Sequence, residues 1–497
     1  MAALAAAAAL AGTGCQQKSE GVPQVLVIGD EPQLVDPRKG PLDTSDAVMI
    51  TNAAQGLVRF DGHGQIVPGL GETWNVSDDG LSYIFRLANG TWPNGRKITA
   101  EQVARMLRRL IASSSDDPLK DAFGAVDDIV AMTDRVIEIR LNQPRPHLLQ
   151  LLAQPEMGLV YEDQGTGPFS IDRDAKPEDR VRLVRQVSTL DEEESERERL
   201  DLGGAAARQA IAAFTAGKAD LVLGGTFADL PVVPRDSLSR GALQFDPASG
   251  LFGLIPARDD GLIADPQVRQ LLSRAIDREA LIAAFDVPGL LPRVTILEPG
   301  LDNIADPVPP DWVATAIADR RPMLIAAARR ILPASENSEQ QDAEDGVTQP
   351  PVIRIALPDG PGADILLDRL TADWGVLGIN VERAKNESEA ELKLVDEVAP
   401  SSSAAWFLRH FRCKVAPVCD EQLDRLIEAA RTTPVLAQRS ALQAEAAQRI
   451  DSLQLFIPLA APIRWSLVSA RITGFAGNRF AVHTLTGLEE RLNQTGE

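Results

Sequence analysis

Aromatic side chains are scarce, at 4% of 497 residues, with two tyrosines, Tyr83 and Tyr161. Histidine occurs four times and cysteine three times. A metal centre built from protein ligands needs several such side chains converging on one point. Here His63, His147, His410 and His483 are widely spaced and form no His-x-x-x-His pair, so neither a metal nor another cofactor is expected. Positive charge is the minority sign, 50 Lys+Arg against 71 Asp+Glu, for a net charge of -21 and a pI near 4.7. Nucleic-acid binding rests on a concentrated positive field, so it is not expected. No apolar run reaches the roughly 18 residues that a membrane-crossing helix requires. Gly165-Thr166-Gly167-Pro168 lacks the Gly-Lys-Ser/Thr of a phosphate-binding loop, and no nucleophile motif stands beside a histidine. The chain therefore reads as a protein that is not an enzyme.

Apolar residues make up 44% of the sequence and charged residues 24%, enough for substantial cores, and the length suggests about three domain-sized units. Met1 to Gly14 is an Ala/Leu-rich run too short to span a bilayer but suited to the apolar part of an export signal. Leu10-Ala11-Gly12-Thr13-Gly14-Cys15 resembles a bacterial lipobox, and Gln16 to Gly21 reads as a polar tether. Residues 1–23 are thus expected to form a signal peptide, lipobox and tether. Cys15 would be the lipidation site, and the chain would be exported to the bacterial periplasm, held to a membrane only by lipid. In an exported protein Cys413 and Cys419 most simply form a short-loop disulfide. Their spacing is not Cys-x-x-Cys, and a zinc half-site there would need two further ligands, with only His410 near.

Gln24 to Gly29 is a β-branched apolar run that reads as a strand. Asp79-Gly80 separates two alternating segments, a hairpin signal. Thr99 with Gln102 forms a capping box ahead of apolar residues at helical spacing. Arg135 to Leu141 alternates as a half-buried strand, and Asp191 to Asp201 is a dense charge run expected to be a solvated loop or surface helix. Asp265 to Phe285 carries one long amphipathic helical pattern. Ser335 to Pro351 reads as a flexible surface insertion, and Glu421 to Leu453 as two helices separated at Pro434. Strands and helices alternate, which indicates an α/β protein with mixed sheets.

The order of motifs resembles the large extracellular solute-binding proteins of ABC importers, the dipeptide/oligopeptide/nickel-binding class, family 5. The resemblance begins at Gly56-Leu57-Val58-Arg59-Phe60-Asp61 and Ile66 to Trp74. It continues through Ser77 to Tyr83 and Trp92-Pro93-Asn94-Gly95 to Gly165-Thr166-Gly167-Pro168-Phe169. Ala216-Gly217-Lys218-Ala219-Asp220, Val268-Arg269-Gln270, Ala275-Ile276-Asp277-Arg278, Gly378-Ile379-Asn380-Val381 and Leu423 to Ile427 complete it.

The resemblance implies a type II two-lobed clamp of the large class. Residues 24–45, 160–248 and 463–497 would form lobe one, 46–159 an extra domain of that lobe, and 249–462 lobe two. A small-molecule or peptide ligand would lie between the lobes of a monomer and pass to ABC permease and ATPase subunits. In peptide-binding members an acidic residue ahead of an Asp-Pro-aromatic stretch meets the ligand's amino group. In this sequence small residues, Ala399 to Ser403, stand there, and Asp396 is the nearest acid. Trp406 and Trp374 are candidates to line the cleft, and Arg258 to meet a ligand carboxylate. The alternative is a degenerate member with an altered pocket, acting as a surface interaction or sensing protein. Cys15→Ala is expected to release the protein from the membrane into the soluble fraction of fractionated cells; retention on the membrane refutes lipidation at this residue.

Overall fold

The computed structural model describes residues 22–112, 119–175, 177, 179–188, 195–332 and 350–490. The expectations for residues 1–21, Cys15 included, and for most of the Ser335 to Pro351 insertion lie outside the described residues.

Two mixed sheets organise the chain. The first has seven strands, in the order Leu243–Phe245, Arg464–Val468, Leu221–Thr226, Gln24–Ile28, Ser195–Ala205, Val181–Ser188, Ser170–Ile171. Gln24–Ile28 is parallel to both of its neighbours, and Val25, Val27, Leu202, Leu221 and Leu223 are fully buried around it. Such an apolar central strand is what a sheet covered on both faces requires. The second sheet has five strands, in the order Asn380–Arg383, Val352–Ala356, Leu392–Val398, Gly250–Pro256, Ile457–Ala460. A third, antiparallel sheet joins Gly71–Val76, Ser82–Leu87, Val136–Leu141 and Val126–Thr133. The Ala100–Ile111 helix buries Val103, Ala104 and Leu107 in the same core as Phe85, Ile137 and Ile139 of that sheet. Among the described residues the main chain passes between the two large sheets twice, from Phe245 to Gly250 and from Ala460 to Arg464.

Three local expectations are revised. The charge run continues as a strand: residues 195–201 pair antiparallel with Val181–Ser188. Glu198 stands opposite Arg185 and Asp201 opposite Arg182, each forming an ion pair; Leu200 and Leu202, which alternate with Asp201, are buried on the face away from it. Opposite charges directly across an antiparallel ladder stabilise it, so a run of mixed charge can form a strand when its partner strand carries the matching charges. The Asp265 to Phe285 pattern is two helices, Pro266–Ala275 and Arg278–Phe285, because Ile276 is extended and Asp277 caps the second by accepting from the Ala280 N–H. Thr99 does cap its helix, but the Gln102 side chain accepts from Trp92 Nε1 at 2.9 Å, which leaves the capping box half made.

Gly225 stands opposite Trp465 in the first sheet, and a Cβ there would lie 2.1 Å from the nearest indole atom. Gly225→Ala is expected to destabilise the fold by about 1–3 kcal/mol through overpacking, read as a lower urea midpoint at unchanged slope. An unchanged midpoint would contradict this packing.

Candidate functional site

Where the two crossings meet, a cavity of about 450 Å³ opens between the large sheets, within the size range of small-molecule sites. One wall comes from Thr44, Val48 and Gly224–Thr226 beside the first sheet; the facing wall comes from Asp396–Pro400 and Trp406 beside the second. Arg464, Trp465 and His483 close it.

Asp396 lies two residues before the end of the Leu392–Val398 strand of the second sheet, and Arg464 opens a strand of the first. Arg464 Nη1 donates to both carboxylate oxygens of Asp396, at 2.8 and 3.0 Å, and Nη2 donates to the Asp396 carbonyl at 2.9 Å. Both side chains are about 15–16% exposed. Burial pushes the Asp396 carboxyl above the usual carboxylate range, and the Arg464 guanidinium opposes that shift. This pair joins the two large sheets across the cavity wall. Asp246, in the other crossing, accepts from the Asn478 N–H at 2.9 Å and lies 3.1 Å from His483 Nε2. Deeper in, Glu298 is 4% exposed and is held by Arg293 and Ser249, with Arg479 at 3.7 Å.

Trp406 is 6% exposed, with the Arg409 guanidinium 5.6 Å from its ring and His410 packed edge-on at 5.0 Å. Burial, together with Arg409 and Lys393, pushes His410 down to about 3, so it is neutral at physiological pH. Ala399, fully buried, donates its N–H to the Ser249 carbonyl and presents no acid to the cavity.

Of the four ligand candidates, Asp396 and Trp406 come together on this cavity. Trp374 does not reach it: the ring is fully buried in the second lobe and donates to the Leu272 carbonyl at 3.0 Å. Arg258 lies off the cavity on the surface, paired with Asp260 and 3.8 Å from Glu391. Sequence reasoning missed Arg464 and Asp246. The available signal was a lone charge inside Pro462-Ile463-Arg464-Trp465 and another just after Leu243-Gln244-Phe245, where burial demands a partner. Among the described residues no three His, Cys, Asp or Glu side chains converge as metal ligands, and no helix is long and apolar enough to cross a membrane.

A cavity walled by two lobes that are joined by two crossings defines a two-lobed type II binding protein. Residues 65–408 match the family described as "Bacterial extracellular solute-binding proteins, family 5 Middle", and the chain belongs to that family. It is 23% identical over 486 residues to the probable di/tripeptide-binding protein 5 of Pseudomonas aeruginosa, covering 85% of this chain and 87% of that one. It is 30% identical over 145 residues to the probable deoxycholate-binding periplasmic protein YgiS of Escherichia coli, covering 26% and 27%. The crystal structure of Haemophilus influenzae OppA in complex with RPPGFSPFR superposes with a TM-score of 0.76 at 15% identity, covering 94% of this chain and 99% of that one. NikA from Brucella suis in complex with Fe(III)-EDTA gives 0.74 at 17% identity, covering 94% and 100%.

Truncating Asp396 to Asn, Arg464 to Met, and both together should give a coupling energy of about 1–3 kcal/mol in urea unfolding. Additive losses would mean that the pair does not tie the lobes.

Proposed function

We propose that this chain is the solute-binding component of an ATP-driven importer. Exported and tethered by lipid on Cys15, it captures a small organic, peptide-like solute between its lobes and delivers it to a membrane permease with its ATPase. It works as a monomer and performs no chemistry itself. Residues 24–45, 160–248 and 463–497 act as one lobe, 46–159 as its extra domain and 249–462 as the other lobe. The observation that carries this reading is the cavity of about 450 Å³ with walls from both lobes. A solute touching both walls binds the closed arrangement better than the open one and so shifts the population toward closure, by no more than that difference in affinity. The peptide and periplasmic names among the relatives support the solute class and the compartment.

One observation favours a changed pocket, and with it the second reading of a surface interaction or sensing role. Arg464 already holds Asp396, and Ala399 offers no carboxylate. We infer that Asp396 serves the cleft as half of an ion pair, with Trp406 as an apolar wall, and that a ligand's amino group meets no acid at the Ala399 to Ser403 positions. Cys413 and Cys419 have Cα atoms 4.8 Å apart, which is within disulfide reach, and we assign them as a bridged pair. Mass spectrometry of the non-reduced protein should recover them in one linked peptide; free thiols there refute the bridge.

The binding function is tested by a thermal-shift screen with di- and tripeptides, opines, bile acids and metal chelates. A true solute at a hundredfold its Kd should stabilise the protein by about 2.7 kcal/mol. No shift with any class would remove the importer reading and leave the surface-interaction one.

A further inference from the structure

Behind Trp406 lies a second cavity, of about 140 Å³, between the second lobe and the segment that follows the four-stranded sheet. Its floor is apolar: Leu151, Trp406, Leu408, Ile427 and Leu436 come from four different helices. Its rim is cationic, with Arg145, Arg409, Arg412, Arg431 and Arg439 against a single carboxylate, Asp302. In a chain of net charge -21 this is a local reversal of sign.

Two of these arginines lack a carboxylate partner among the described residues. Arg439, 6% exposed, donates to the carbonyls of Thr433 and Pro144 at 2.9–3.1 Å. Arg145 reaches only the Pro144 and Arg431 carbonyls, at 3.4 and 3.5 Å, the long limit of a hydrogen bond. Burial, with the guanidinium groups of Arg439 and Arg431 beside it, pushes Arg145 down to about 10. Folding has thus brought like charges together in a partly dry pocket, an arrangement that an anion would relieve. The floor beneath them demands an apolar body. Trp406 and Arg409 border both cavities, so the pocket and the cleft lie on two sides of one indole ring.

We propose that the pocket takes the carboxylate end of an amphiphilic solute, with Arg145 receiving the anion and Trp406, Leu151 and Ile427 packing its apolar part. This rests on the cleft-binding reading and narrows its solute class to acids carrying an apolar group. Two sources share that chemistry: a peptide ending in an apolar residue, and a non-peptide apolar acid.

The test is isothermal titration of the full chain at low salt with four probes: Ala-Ala-Leu, its C-terminal amide, octanoate and octanamide. At least one acid should bind tenfold or more tightly than its amide. Arg145→Met should abolish that preference and Arg145→Lys retain part of it, with thermal unfolding verifying that both variants fold. Preference in the peptide pair alone points to the peptide source, and in the octanoate pair to the other; either supports the assignment. Peptide binding that is equal for acid and amide, or unaltered by Arg145→Met, overturns this inference while leaving the cleft reading intact. No binding by any probe overturns it together with a cleft open to peptides or short-chain acids.

Discussion

Arg464 and Asp396 stand on different sheets, and their bidentate pair closes the gap beside one of two crossings between the lobes. Among the described residues the main chain joins the two large sheets through these crossings alone. Three carboxylates near them are paired: Asp396 with Arg464, Asp246 with His483 and Asn478, Glu298 with Arg293. Taking a charge from water costs several kcal/mol unless geometry and hydrogen bonds repay it. Each pair offsets part of that cost. The cavity is the space these pairs leave.

The same economy recurs within the second lobe, where arginines are matched by carbonyls. Arg269, 1% exposed, donates to Ile263, Ala264, Leu453 and Gln454, collecting the carbonyls at the end of the Leu436–Leu453 helix. Arg278 donates to Pro458 and Ser273. Guanidinium donors suit this role because five N–H groups in a rigid fork can satisfy several chain ends at once. Val268-Arg269-Gln270 and Ala275-Ile276-Asp277-Arg278, which carried part of the family resemblance, are thus scaffold motifs that speak for the fold and not for the solute.

That division explains what was legible in the sequence. Apolar periodicity, the Asp79-Gly80 turn and the Thr99 cap are local signals, and they are realised as a buried central strand, a hairpin and a capped helix. Within the Asp191 to Asp201 run, the described residues 195–201 form a strand and not a loop or helix, because the charges that match them lie on the neighbouring strand. Asp396 and Trp406 were placed near the cleft by their position in the motif order. Arg464, 68 residues from Asp396, could not be joined to it from spacing, since their contact exists only once two sheets are assembled. Trp374 and Trp406 are equally plausible in sequence, and only packing tells the core ring from the cleft ring.

The central proposal is that the family's scaffold persists while its amine anchor has been withdrawn, small residues from Ala399 to Ser403 standing where an acid is expected and Asp396 already engaged. Its most direct measurement is isothermal titration of the tripeptide Ala-Ala-Leu against its N-acetyl form. The account predicts affinities within about threefold of each other, because small residues stand where the anchoring acid is expected and Arg464 already holds Asp396; a loss of more than about a hundredfold, near 2.7 kcal/mol, would contradict it.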